Sequence, residues 1–439
     1  MPKNPRPKIK PSPVEPSPAR ALAVLPPWET IGEVPPTPFY LYSETALTAL
    51  WNGFTNSFAP EARAVLHVHF ALKSNHNPRV IEFFRARNAG LDLVSGGELD
   101  FALKSGFAPS SLIMSGVGKS REEMARALGT GIDLIVVESE GELERLQEVA
   151  GQMNVSARVA LRVNPDVDAK THPYISTGMY EHKFGIDFKE ASRLAAKFFG
   201  QKTSMLKLRG LSIHIGSQMM DLGALEQSFG LVLKLARKLR AAGATELNIL
   251  DVGGGLGIPY AKPFVFPKFA AYGRLLSNLA KLWVSEVGDG AKVYTETGRA
   301  LIAQAGYLYT RVLGLKANAR KNFCILDASM TELLRPALYQ AEHVIEPLAF
   351  RRGVRAVDPA LPKRKYDFVG PVCESSDVLG TGRSAPASLK ESDLFRILSV
   401  GAYGYVMAST YNLRPLPAEY WLRTDGTLEL VRERHFPNL

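Results

Sequence analysis

A chain of 439 residues is too long for one small core, and its 46% apolar and 22% charged residues are ordinary for a globular protein, so two domains are expected. Its two cysteines, Cys324 and Cys373, exclude a disulfide framework and point to a reducing, cytoplasmic setting. No apolar run approaches the roughly 20 residues that span a bilayer, so no membrane partner is expected.

The formal net charge is +10, and Lys3, Arg6, Lys8, Lys10 and Arg20 against Glu15 place part of it at the start of the chain. Seven prolines are interspersed there, so residues 1–25 read as a solvated, disordered extension. The rest of the chain lacks the basic and aromatic patch of a nucleic-acid binder, and no such partner is expected.

Thr37-Pro-Phe-Tyr-Leu-Tyr42 reads as a short strand. Ser43 then N-caps a helix from about Glu44, without a complete capping box. Residues 65–75 form an apolar, partly β-branched run that ends in Lys73 and turn residues, a buried strand delivering a lysine to the lip of a sheet or barrel. Further strands are expected near 91–94, 111–114, 132–137, 158–163, 208–214, 246–252 and 291–296, with helical runs between them. Eight alternating strands fit a (β/α)₈ TIM-like barrel, with a doubly wound open sheet as the alternative. Beyond residue 296 the pattern turns to strands without regular helices, closing in a hairpin around Asp425-Gly426. The expected division is a tail over 1–25, a barrel over 44–295, and a mostly β C-terminal domain built from 26–43 and 296–439.

In a barrel, chemistry gathers at the C-terminal ends of the strands. Lys73, Asp92, Ser95, Arg162, Asn164, His214 and Glu296 fall at such ends, and Asp251 leads into Gly253-Gly-Gly255. A buried lysine can lose its proton to desolvation and become a nucleophile, or it can snorkel to solvent. Adjacent glycines let backbone N–H groups approach an anion, and Gly298-Arg299 stands after the last barrel strand, where barrels often hold phosphate. A structural turn is the other reading of those glycines. His214 has no second ligand at metal spacing, so no metal is expected.

A nucleophilic lysine, a phosphate cradle and a carboxylate together suggest pyridoxal 5′-phosphate. At this point the chain resembles a known family, the fold-type III pyridoxal-phosphate decarboxylases, and within it the branch acting on diaminopimelate. The matching motifs are Phe70-Ala-Leu-Lys-Ser-Asn75, Thr171-His-Pro-Tyr-Ile-Ser-Thr177, His182-Lys-Phe-Gly-Ile186, His214-Ile-Gly-Ser-Gln218, Gly253-Gly-Gly255 and Glu296-Thr-Gly-Arg299. Leu334-Arg-Pro-Ala-Leu-Tyr339, Gly370-Pro-Val-Cys-Glu-Ser-Ser-Asp377 and Gly401-Ala-Tyr403 continue the series, so the resemblance spans roughly residues 35–435.

The resemblance implies that Lys73 is the Schiff-base lysine and that His214 stacks on the cofactor ring. It assigns the phosphate to Ser217, Gly253, Gly254 and Gly255, and sets Asp92, Gly298, Arg299 and Tyr403 around the cofactor. Glu296 is then the partner of the protonated ring nitrogen, which strengthens the electron sink and argues for decarboxylation. Arg299, Arg335, Tyr339, Tyr403 and Glu374 are the implied substrate contacts. Cys373 is the implied proton donor to Cα, entering with Glu374 from the other subunit of a homodimer with shared active sites. The implied reaction is meso-2,6-diaminopimelate to L-lysine and CO₂, the last step of lysine biosynthesis. A sister decarboxylase of ornithine, lysine or carboxynorspermidine, and a non-catalytic carrier of the cofactor, are the alternatives. The chain departs from the family at Thr297, where proline is usual, and at Ser74, where alanine is usual.

Overall fold

The structure, a computed structural model, describes residues 34–167, 183–199, 204–260, 265, 267–348 and 361–437. The tail over 1–25, the motif Thr171–Thr177 and His182 lie outside the described residues.

The first strand, β1 (Phe39–Ser43), is followed by a helix over Glu44–Thr55 that Ser43 caps by accepting the Ala46 N–H. Eight parallel strands come next: β2 (Leu66–Ala71), β3 (Gly90–Leu93), β4 (Leu112–Met114), β5 (Leu134–Val137), β6 (Ala157–Arg162), β7 (Leu206–Ser212), β8 (Ile249–Asp251) and β9 (Lys292–Thr295). Each pairs with the next, and β2 pairs with β9, Leu66 opposite Val293. That closing pair decides for the barrel over the open sheet.

Helices over Pro78–Arg85, Gly96–Lys104, Arg121–Thr130, Glu140–Met153, Phe188–Phe199, Gly223–Ala241 and Phe269–Val287 alternate with the strands. Several start where the sequence supplies a cap. Asn77, Ser95, Ser120 and Ser139 each accept a first-turn N–H, and Ser120 with Glu123 completes a capping box. Ile113, Leu134, Val136, Ala160, Ile249 and Tyr294 form one buried cluster contributed by five barrel strands. Among the described residues no helix is long and apolar enough to cross a membrane.

The strands after the barrel are β10 (Gly306–Ala317), β11 (Asn322–Leu326), β12 (Ile345–Pro347), β13 (Lys363–Val369), β14 (Val378–Pro386), β15 (Leu394–Leu398), β16 (Ala418–Leu422) and β17 (Leu428–Arg432). They form one sheet in the order β14-β13-β11-β10-β1-β16-β17, with β15 pairing both β10 and β12. β1 therefore belongs with the C-terminal strands, antiparallel to β10 and parallel to β16. A short helix over Arg335–Tyr339 sits between β11 and β12.

The two parts meet at the barrel mouth. Gly306 and Gly401 touch so closely that a Cβ on either would overlap the other's backbone. This brings residues 401–403 against the loop that leaves β2. Tyr403 N–H donates to the Ser74 carbonyl at 2.9 Å, and Asn75 Nδ2 donates to the Gly401 carbonyl at 2.8 Å.

Candidate active site

A cavity of about 440 Å³, lined in part by Lys73, His214, Ser217, Glu296, Arg299 and Arg335, opens at the C-terminal ends of the barrel strands. That size suits a small molecule. Gly255, Gly298, Tyr339 and Tyr403 also line it.

Lys73 stands just past β2, in a 3₁₀ turn over Leu72–Ser74 that Ser74 closes by donating to the Ala71 carbonyl at 2.7 Å. Serine in place of the usual alanine thus adds a hydrogen bond to the turn carrying the lysine. Lys73 Nζ donates to Asp92 Oδ2 at 2.9 Å. Asp92, fully buried on β3, also accepts from the Ser115 hydroxyl. Desolvation pulls the Lys73 pKa down, but Asp92, Glu296 and Tyr403 outweigh it, and the net shift is upward. Of the two readings of this lysine, the neutral amine does not hold in the protein without ligand: the Asp92 carboxylate, paired with it directly, foremost holds the proton on Lys73. Asp92 acts directly on the lysine and is absent from the cavity lining.

Glu296 follows β9 and is only 7% exposed. Burial, then Asp251 and Asp92, push its pKa well above the carboxylate range, against the pull of Lys73. Burial likewise raises Asp251 to about 6, although it accepts the Ser212 hydroxyl at 2.6 Å and the Gly253 N–H at 3.0 Å. Glu296 Oε1 is buried without a hydrogen-bond partner. An open oxygen on a carboxyl that lacks a matching cation is a place for a cationic N–H. Thr297 joins a buried hydroxyl chain, its Oγ1 3.0 Å from Thr295 Oγ1, which is 3.0 Å from the Tyr272 hydroxyl. Threonine here supplies a hydrogen bond that proline could not.

His214 lies two residues past β7. Gly254 N–H donates to its Nδ1 at 3.2 Å, which places the proton of the neutral ring on Nε2. Burial, then Arg162 and Lys73, hold the ring neutral.

The glycine run needs glycine for packing before any ligand is considered. A Cβ at Gly253, Gly254 or Gly255 would overlap the carbonyl oxygen of Ile213, Glu296 or Gly216 respectively, and Gly253 and Gly255 have positive φ. The expectation of three N–H groups on one phosphate is narrowed. Gly253 N–H is taken by Asp251 and Gly254 N–H by His214, and of the three Gly255 lines the cavity, its N–H without a partner among the described residues.

The arginines contrast with this acidic cluster. Arg299 donates to Ser217 Oγ at 3.0 Å and to the Tyr260 hydroxyl at 2.6 Å, and lies 4.8 Å over the Tyr403 ring. Arg335 meets His343 Nε2 at 2.7 Å and lies 4.7 Å over the Tyr260 ring. They are 7% and 5% exposed, and each has a buried Nε without a partner. Among the described residues neither pairs with a carboxylate.

Cys373 and Glu374 are not brought to this cavity. Both are exposed on the loop between β13 and β14, where Tyr411 donates to Glu374 Oε1 at 2.7 Å. Sequence reasoning missed Ser115, Ser212 and Phe184 in the lining, and Tyr260 and His343 behind the arginines. Ser212 ends β7 and Ser115 follows β4, so strand-end position would have found both. Arg162, already noted at a strand end, is held by a buried pair with Glu138 at 2.8 Å. Among the described residues no group of three or more metal-ligating side chains is present.

Pyridoxal 5′-phosphate fits these residues. The glycine turn tolerates no side chain, Glu296 Oε1 is open, and a lysine stands within the same cavity. The class follows from the fold and is matched in sequence: the family described as pyridoxal-dependent decarboxylase, pyridoxal binding domain, covers residues 47–303.

A diaminopimelate decarboxylase of Vibrio cholerae is 42% identical over 398 residues, 91% of this chain and 90% of that protein. Another from Pseudomonas aeruginosa is 41% identical, covering 90% of each. The crystal structure of diaminopimelate decarboxylase from Helicobacter pylori complexed with L-lysine superposes with a TM-score of 0.82 at 36% identity, covering 92% of this chain and 95% of that one. The chain belongs to the diaminopimelate decarboxylase family of pyridoxal-dependent enzymes.

Proposed function

We propose that this protein decarboxylates meso-2,6-diaminopimelate to L-lysine and CO₂, with pyridoxal 5′-phosphate held in the cavity and Lys73 as its covalent anchor. The observation that carries the reading is the pair of buried arginines that have no carboxylate partner among the described residues, in one cavity with Lys73 and Glu296. A buried guanidinium left unpaired is costly, so the site calls for anions from its ligands. A phosphate supplies one, and a substrate carboxylate remote from the reacting centre supplies another. Ornithine and lysine have no such second carboxylate.

The cofactor supplies, when bound, a sink for the electron pair left at Cα as CO₂ departs. The chain's residues do the rest. Glu296 holds a proton at the ring nitrogen, and the Asp251 carboxyl beside it opposes a second free negative charge. His214, neutral, contributes a cavity face without competing for the phosphate. Ser217, Gly255 and Arg299 are suited to the phosphate. Arg335 and Tyr339 are suited to the distal carboxylate. Lys73 gives up its proton to Asp92 or solvent before it can attack a carbonyl. Cys373 and Glu374 lie outside this chain's own cavity, and in this reading they serve the cavity of a second copy, as proton donor to Cα and partner of the distal ammonium. Both cysteines are free thiols, which suits the reducing cytoplasm.

Protein reconstituted with the cofactor should form equimolar L-lysine and CO₂ from meso-diaminopimelate. Turnover of ornithine or lysine with none of diaminopimelate would overturn the substrate. Cofactor binding with turnover of none of the three would leave a carrier.

A further inference from the structure

Among the described residues the one other buried arginine, and several half-buried ones, are matched by acids. Arg162 pairs with Glu138 at 2.8 Å, Arg396 with Glu346 at 2.5 Å, and Arg432 with Glu419. The cavity arginines break that habit, and at Arg335 the partner is an imidazole.

His343 is 2% exposed, just before β12. Its Nε2 is 2.7 Å from Arg335 Nη1, and its Nδ1 is 2.9 Å from the Leu398 carbonyl. A guanidinium can only donate and a carbonyl can only accept. The ring is therefore neutral, with its proton on Nδ1 and an acceptor lone pair on Nε2. Its far end is fixed to β15, whose Leu398 N–H also donates to the Val344 carbonyl at 3.0 Å. Its ring stands edge-on to Tyr260, with centroids 5.0 Å apart. Tyr260 in turn lies under Arg335 and accepts from Arg299.

We propose that His343 is a positioning residue that aims Arg335 into the cavity while leaving its positive charge free for the substrate. A carboxylate at this position would place the guanidinium equally well but would take its charge in a bidentate pair. A neutral acceptor fixes the direction and surrenders none of the attraction. Burial, then the Arg335 charge, lowers the His343 pKa to about 3, so the ring stays neutral across the working range of pH. Tyr260 and Ser217 play the matching part for Arg299, again as neutral oxygens. The inference rests on the reading that Arg335 takes the distal carboxylate of the substrate.

Three variants test it, each assayed with meso-diaminopimelate and, independently of turnover, by calorimetric binding of pimelate to cofactor-loaded protein. His343→Leu removes the acceptor and should raise KM about 10–100-fold with kcat within a few-fold, the size of a charged hydrogen bond lost from a buried group. His343→Gln returns a neutral acceptor and should recover most of that loss. His343→Glu keeps Arg335 in place but neutralises it. Its KM should match or exceed that of His343→Leu while its melting temperature stays at or above that of His343→Leu. Pimelate affinity should follow the same order.

A His343→Leu protein with lower melting temperature but unchanged KM and pimelate affinity would reduce the residue to a packing role. A His343→Glu protein with wild-type KM would show that the charge of Arg335 is not what the substrate reads. If His343→Leu fails to fold, the Gln and Glu variants still decide between these outcomes. Wild-type protein that binds pimelate but leaves diaminopimelate unreacted would sink the proposed function and leave the Arg335–His343 coupling to be read from pimelate alone.

Discussion

Two charge clusters share the cavity region, and they handle burial in opposite ways. Lys73, Asp92, Asp251 and Glu296 set a cation among carboxylates, so the cluster holds more acid than base and pushes Glu296 and Asp251 toward their neutral forms. Arg299 and Arg335 are met by neutral groups, Ser217, Tyr260, Tyr403 and His343, and among the described residues by no carboxylate, so their charge is uncompensated there. Burial penalises a charge unless something answers it. The acidic cluster leaves room for one more cation, and the basic cluster leaves room for anions. A cofactor with a protonated ring nitrogen and a phosphate, and a substrate with a distal carboxylate, complete both at once.

The comparison can be broken first at the lysine. Lys73→Ala should lower CO₂ release by at least about 10³-fold, because it removes the covalent anchor of the cofactor. Borohydride treatment followed by peptide mapping should find the cofactor fixed on Lys73 in the wild type and nowhere in the variant. A label on another lysine would place the chemistry elsewhere.

Glu296→Gln tests the acidic cluster more gently, since the amide keeps the shape and loses the charge. It should still bind the cofactor yet slow single-turnover decarboxylation about 10²–10³-fold, the usual effect of losing one preorganised electrostatic partner. An unchanged rate would mean that another group keeps the ring nitrogen protonated.

A third test asks whether both clusters, which lie on one chain, depend on a second chain. Cys373→Ala alone should slow the reaction ~10²–10⁴-fold as a lost general acid. Mixed with Lys73→Ala subunits under exchange, half the dimers carry one doubly mutated and one intact site, so activity should return to roughly a quarter of wild type. Mixed dimers seen by mass spectrometry but without activity would mean that each site is built within one chain.

The smallest effect is a pH dependence of the cofactor-free protein. Asp251 has a folded pKa of about 6, above its ordinary 3.8. Its contribution to stability is full below about pH 3.8 and is lost as pH rises through 6, on the order of 2–3 kcal/mol by proton linkage. Asp251→Asn should flatten the fall in melting temperature between pH 4 and 7. A slope identical to wild type would show that the acidic cluster is not strained by its own charge.

Much of the acidic cluster was legible before any coordinates. Lys73, Asp92 and Glu296 each fall at or just past the end of a strand that periodicity marks, and eight such strands imply one shared mouth. The direction of the Lys73 shift was not legible, because it depends on Asp92 and Glu296 closing around the amine through the barrel's curvature. The division of labour among the glycines was hidden too: Asp251 takes the Gly253 N–H in a local turn, but His214 claims the Gly254 N–H only once β7 and β8 lie side by side. The support of the basic cluster left no trace in the sequence. His343 acts through Leu398, 55 residues away, and no spacing rule connects them. β14 went unseen for a different reason: Gly380, Thr381, Gly382 and Ser384 read as turn residues, and only a bulged ladder with β13 makes them a strand.

The central claim is that uncompensated guanidinium charge selects the substrate. Its most direct measurement is the ratio of kcat/KM for meso-diaminopimelate to that for D-lysine, which keeps the reacting D centre and lacks the distal carboxylate, in wild type and in Arg335→Met. A site built around a polar group rejects the analogue that lacks its partner by about 10⁴-fold, so a ratio of that order is expected in the wild type and a fall of about 10²-fold or more in Arg335→Met. A ratio near one in the wild type, or the same ratio in both proteins, would contradict the account.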